Sequence, residues 1–134
     1  MKKKNIIAHT FQLSPYPREL WVVKGGDTSE LRDLYCFPNG TETKDYFEEI
    51  EGYEAFTSCL LRDKKTRKFG YLVYCTNTVK NDAIAHEAGH VVVYLFDDIE
   101  ITIDVKNDEP FAYMLGYVYG CIESVVRNKK NTKA

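Results

Sequence analysis

After Thr76 the apolar residues of this chain change from runs suited to strands to a spacing suited to a helix, and that change constrains the fold more than any other feature. On the strand side, residues 55–61 and 69–76 are apolar and aromatic, and the charged segment 62–68 lies between them. This pattern predicts two adjacent antiparallel strands joined at a solvated turn. On the helix side, residues 79–96 contain no proline, Asn77 or Thr78 can cap the start, and Asp82 lies where it favours the helix dipole. A loop or short strand is expected next, where Ile99, Ile101, Ile103 and Val105 alternate with Glu100, Thr102 and Asp104 in the period of a half-buried strand. A second helix is expected from about Asp108 to Arg127, with Pro110 in its first turn, where a missing N–H is harmless. Earlier in the chain, residues 20–23 read as a short strand and 44–51 as a short helix, between turn signals at Pro15, Pro17, Gly25, Gly26 and Gly40. The expected fold class is α+β: a short antiparallel sheet packed on two principal helices.

With 134 residues, 44% of them apolar, the chain is expected to form one domain around a modest core, with residues 1–5 and 128–134 as flexible tails. Eighteen basic against twenty acidic residues leave a net charge of -2, which argues against a nucleic-acid partner. The longest apolar run, residues 91–96, is too short to cross a bilayer. The basic start is followed by only three apolar residues before His9, unlike a signal peptide, so residues 1–8 read as a solvated arm. Cys36, Cys59, Cys75 and Cys121 are widely spaced and form no CxxC pair. Reduced thiols in a cytoplasmic protein are the expectation.

The strongest chemical signal is His86-Glu87-Ala88-Gly89-His90, an HExxH pattern on the first predicted helix. Residues four apart share a helical face, so both imidazoles can reach one metal ion. Zinc suits imidazole and carboxylate ligands at a tetrahedral centre. The competing reading is that His86 and His90 are buried, hydrogen-bonded core residues. Against it, the chain has only three histidines, and two of them stand at ligand spacing.

A catalytic zinc site ordinarily uses three protein ligands. Glu109 is the candidate for the third, since the eighteen residues after His90 allow a helix end, a turn and a return. With this pair of motifs the sequence resembles the gluzincin metallopeptidases over residues 69–127, in a small single-domain form of the kind encoded by phages and mobile elements. The resemblance implies zinc as cofactor, His86, His90 and Glu109 as its ligands, Glu87 as general base, and a peptide or protein as substrate. It departs from the thermolysin branch at Tyr113, where that branch carries an aspartate. Tyr113, Tyr117 and Tyr119 are candidate oxyanion donors, although aromatic residues at helical spacing more often pack in a core.

Small residues recur at Ala85 and Gly89 and at Ala112, Gly116 and Gly120. They lead us to expect two helices in close approach, near enough for Glu109 to meet the histidines. Two other classes of function stay open: a zinc-stabilised binding or inhibitory module without catalysis, and a metal-free interaction domain.

Overall fold

Alternation along the central strands decides how the layers stack. In the computed structural model, which describes residues 6–128, Leu20, Val22, Tyr71, Val73 and Cys75 face one apolar cluster, while Trp21, Val23, Leu72 and Tyr74 face another. A sheet buried on both faces results.

The strands are β1 (Ala8–Gln12), β2 (Glu19–Lys24), β3 (Tyr35–Cys36), β4 (Ala55–Thr57), β5 (Leu61–Asp63) and β6 (Phe69–Cys75). Their order is β1-β2-β6-β5-β3, and β4 also pairs with β6 on the flank that β5 uses. One face is covered by α1 (Leu31–Leu34) and α2 (Lys44–Glu48), and the other by α3 (Asn81–Asp98) and α4 (Glu109–Val126). The fold is therefore α+β, as expected. The sheet, however, is mixed rather than antiparallel, because β2 runs parallel to β6 from Glu19 opposite Gly70 to Lys24 opposite Cys75. A long excursion through α1 and α2 separates the two strands in sequence, and only such an excursion lets neighbours run the same way.

The predicted strand over residues 55–61 is broken in two. Thr57 opposes Val73 while Leu61 opposes Gly70, so one extra residue is accommodated between β4 and β5. Ser58 holds this bulge: its N–H donates to the Leu72 carbonyl at 2.8 Å, and its hydroxyl accepts from the Leu72 N–H at 2.8 Å.

At the N-terminal side, β1 extends over residues read as a free arm. Ala8 pairs with Val23, and the Ile6 N–H donates to Glu30. Of the tails expected at 1–5 and 128–134, residues 1–5 and 129–134 lie outside the described residues.

The two long helices are antiparallel neighbours. Phe96, near the end of α3, packs edge-on against Phe111, near the start of α4, while Arg127 after α4 donates to Val79 and Asn81 at the start of α3. Neither Asn77 nor Thr78 caps α3: the helix begins at Asn81, with Lys80 at the cap position and no side-chain bond there. It ends in a left-handed residue, Glu100, with φ of 61°. The Ile101 N–H reaches back to the Phe96 carbonyl and the Glu100 N–H to that of Asp97, which closes the last turn as a Schellman motif. Because a Cβ is disfavoured at that position, Glu100→Gly is expected to raise stability by about 1 kcal/mol. Urea denaturation checks this, and an unchanged or lowered midpoint would count against it.

The same closure decides between the loop and the short strand expected after α3. Residues 99–105 form no strand, and Val105 is 85% exposed. Ile99 and Ile101 pack on the core from the helix end, but among the described residues no neighbouring strand offers hydrogen bonds to a segment there. Alternation alone supplies no partner.

Candidate functional site

Helix α3 lies over β4 and β6, with α4 on its other flank over β2. Glu87 faces the sheet and is 8% exposed. Its carboxylate Oε1 accepts a hydrogen bond from Thr57 Oγ1 at 2.5 Å, and the same hydroxyl lies 3.2 Å from the Glu87 carbonyl oxygen. Oε2 is left without a hydrogen-bond partner among the described residues. Cys75, opposite Ala55 in the sheet, is buried nearby; burial first, and then the Glu87 charge, pushes its thiol up to about 12.

His86 is exposed and His90 half-buried, so neither is a core residue. Their Nε2 atoms are 3.1 Å apart and the rings are nearly perpendicular, at 87°. Two nitrogens bound to one tetrahedral zinc lie about 3.3 Å apart, given bonds of about 2.05 Å. The spacing is close to what a shared ion needs and is equally that of an N–H···N hydrogen bond between the rings, and the pair supplies two of the three protein ligands usual at a catalytic zinc. On the next turn, the Tyr94 ring stacks on His90 at 5.7 Å. Tyr94 in turn neighbours Tyr46, whose phenol is pushed upward chiefly by burial and also by contact with Cys59.

Above this flank runs the open side of β4. The Thr76 N–H bonds to the Glu54 carbonyl, and the Ser58 N–H to that of Leu72, so hydrogen bonds to β6 fall at 54, 56 and 58. By antiparallel geometry, the N–H and C=O groups of Ala55 and Thr57 point away from β6. No strand among the described residues pairs with that side. Just beyond, the Cys59 N–H donates to the Tyr46 hydroxyl at 2.9 Å, which closes the edge at the bulge.

Glu109 does not join the histidines. Helix α3 continues for eight residues past His90, and residues 99–108 form the connection, so the eighteen-residue gap is used up before any return begins. Glu109 opens α4 beside the far end of α3, at least about 12 Å along the axis from His90 at 1.5 Å per residue. Among the described residues, no group of three or more His, Cys, Asp or Glu is placed to hold a metal ion. His9, on β1, lies at the opposite side of the sheet from β4.

The tyrosine candidates are displaced for the same reason. Tyr117 donates its hydroxyl to the Gln12 carbonyl on β1, and Tyr113, 80% exposed, lines the same hollow as Tyr117 and Gln12. Strands β1 and β4 are three spacings apart, about 14 Å. The hydroxyls near the histidine flank belong instead to Tyr46 and Tyr94. Their sequence positions carry no motif, and only the turn spacing from His90 to Tyr94 hints at one of them.

The small-residue stripes also have another meaning. A Cβ built at Gly89, Gly116 or Gly120 meets nothing within 4 Å, so these glycines face open space rather than a close helix contact. Among the glycines within strands and helices, the confined one is Gly70 in β6.

No protein-family model, curated protein or solved structure matches this chain. Together with the missing three-ligand group, this overturns the resemblance to gluzincin metallopeptidases. No helix among the described residues is long and apolar enough to cross a membrane.

Proposed function

We propose that the chain is a zinc-dependent hydrolase of peptide bonds, working at the flank formed by His86, Glu87, His90 and the open edge of β4. The observation that carries this reading is the convergence of the two Nε2 atoms, 3.1 Å apart, on the helix that also presents Glu87. His86 and His90 are the protein ligands, and the rest of the coordination shell is left to water and substrate. When bound, zinc supplies Lewis acidity, polarising a carbonyl and making water acidic enough to deprotonate near neutral pH.

The chain's own residues do the rest. Outward N–H and C=O groups at Ala55 and Thr57 pair with an extended peptide by strand addition and hold its scissile bond along the histidine flank. Glu87 accepts the proton of the attacking water on Oε2, since Oε1 is occupied by Thr57. It then hands that proton to the departing nitrogen as the C–N bond breaks, leaving an amine and a carboxylic acid, whose own proton passes to solvent. The burial of Glu87 keeps bulk water from competing for the proton.

The test is zinc binding and peptide cleavage by the full chain. Zinc competition against a chromogenic chelator is expected to give one site, lost in His86→Ala and His90→Ala and kept within about threefold in Glu109→Ala, whose carboxylate is remote. Digestion of a peptide library should depend on zinc and disappear in both histidine variants. Retained zinc binding in His86→Ala, or cleavage indifferent to zinc, would remove the proposal.

A further inference from the structure

Thr57 occupies two places at once. Its main chain lies on the open side of β4, with N–H and C=O directed away from β6, while its side chain faces α3 and donates to the Glu87 carboxylate at 2.5 Å. It is buried, and it is the only hydroxyl bonded to Glu87 among the described residues. We propose that Thr57 is a positioning residue that couples strand docking to Glu87, so that a peptide paired along β4 and the proton acceptor beneath it are aligned by one residue. This rests on the hydrolase reading given above.

A carboxylate at the second position of HExxH has a rotatable side chain, and burial alone does not choose which oxygen meets a water. The Thr57 hydroxyl removes that freedom by engaging Oε1, which leaves Oε2 as the acceptor. A charge-assisted bond of this kind is short and strong enough to select one rotamer. The hydroxyl also lies 3.2 Å from the Glu87 carbonyl oxygen, so strand and helix meet closely at this point. Ser58 locks the next residue to Leu72 by two hydrogen bonds, so β4 cannot slide along β6 to release the contact.

Thr57→Val keeps the shape and removes the donor; Thr57→Ser keeps the donor. With the zinc-loaded full chain and the best-cleaved peptide of the library, Thr57→Val is expected to lower kcat about tenfold or more with KM changed by less than about threefold. Thr57→Ser should recover wild-type kcat. A second readout needs no metal and no turnover. In metal-free protein carrying 13C-labelled glutamate, the Glu87 carboxylate stretch is identified as the infrared band missing in Glu87→Gln. That band should shift in Thr57→Val and stay in place in Thr57→Ser. If Thr57→Val fails to fold by urea denaturation, Thr57→Ala is read in its place. An unmoved band in the donor-free variant, or equal kcat loss in the serine variant, overturns the assignment of Thr57. Absence of cleavage by the wild type overturns the hydrolase reading and this proposal with it, whereas a shift confined to the infrared band in that case still marks the hydrogen bond as present.

Discussion

Gly70→Ala is expected to destabilise the fold by about 3 kcal/mol or more. A Cβ at this position would lie 2.2 Å from the Glu19 carbonyl oxygen and 3.0 Å from Trp21 Cζ2. Neither neighbour can retreat. Glu19 is opposite Gly70 in the parallel pairing of β2 with β6, so moving its carbonyl means opening the centre of the sheet. Trp21 is fully buried, stacks on Tyr35 at 4.5 Å, and donates its indole N–H to Glu19 at 2.9 Å. Shifting the ring would uncouple that bond and disturb a close-packed layer. For a domain whose total stability is about 5–15 kcal/mol, a loss of this size is readily measured. Urea unfolding of the two proteins decides it: a difference below about 0.5 kcal/mol would mean that β2 and β6 are not paired in this register.

The second large effect concerns chemistry and not stability. Glu87→Gln is expected to reduce zinc-dependent peptide cleavage by about 10²–10⁴-fold, the usual contribution of a positioned general base. The amide oxygen of glutamine can still accept from Thr57 Oγ1, so the buried contact and the packing beneath β4 are kept. What is lost is the capacity of the second position to take a proton. Zinc affinity should change little, because the two imidazoles are untouched and Glu87 is not counted among the ligands. Cleavage by Glu87→Gln at the wild-type rate, with zinc bound, would leave the buried carboxylate with a structural role only.

The contrast between two glycine classes shows how far residue type can be read without coordinates. Gly89, Gly116 and Gly120 fall at helical spacing and suggest a contact stripe, yet each faces open space. Gly70 sits in an apolar run with nothing in its neighbours to mark it, and it alone among the glycines within strands and helices is hemmed in by backbone. Spacing records which residues share a face of one element. It carries nothing about which element lies opposite.

Glu109 illustrates the same limit. The count of residues after His90 is a length along the chain, and that length can be consumed by more helix or by a return toward the histidines. The Schellman closure at Glu100 and the pairing of Phe96 with Phe111 settle the matter, placing Glu109 beside the end of α3. Tyr113 and Tyr117 follow it on α4 toward β1.

By itself the sequence determined the local events: the strand-to-helix change after Thr76, both long helices to within a few residues, the short strand read at 20–23 and observed at 19–24, and the helical spacing that brings His86 and His90 together. These depend on periodicity and on neighbours within a few residues, where backbone geometry dictates who meets whom. Only the tertiary structure decided that the sheet is mixed, that residues 99–105 form a helix-closing loop, that Thr57 bonds to Glu87 across thirty residues of chain, and that Glu109 stands apart. Such contacts arise from how layers pack, which depends on every element at once and leaves no periodic trace in any one of them.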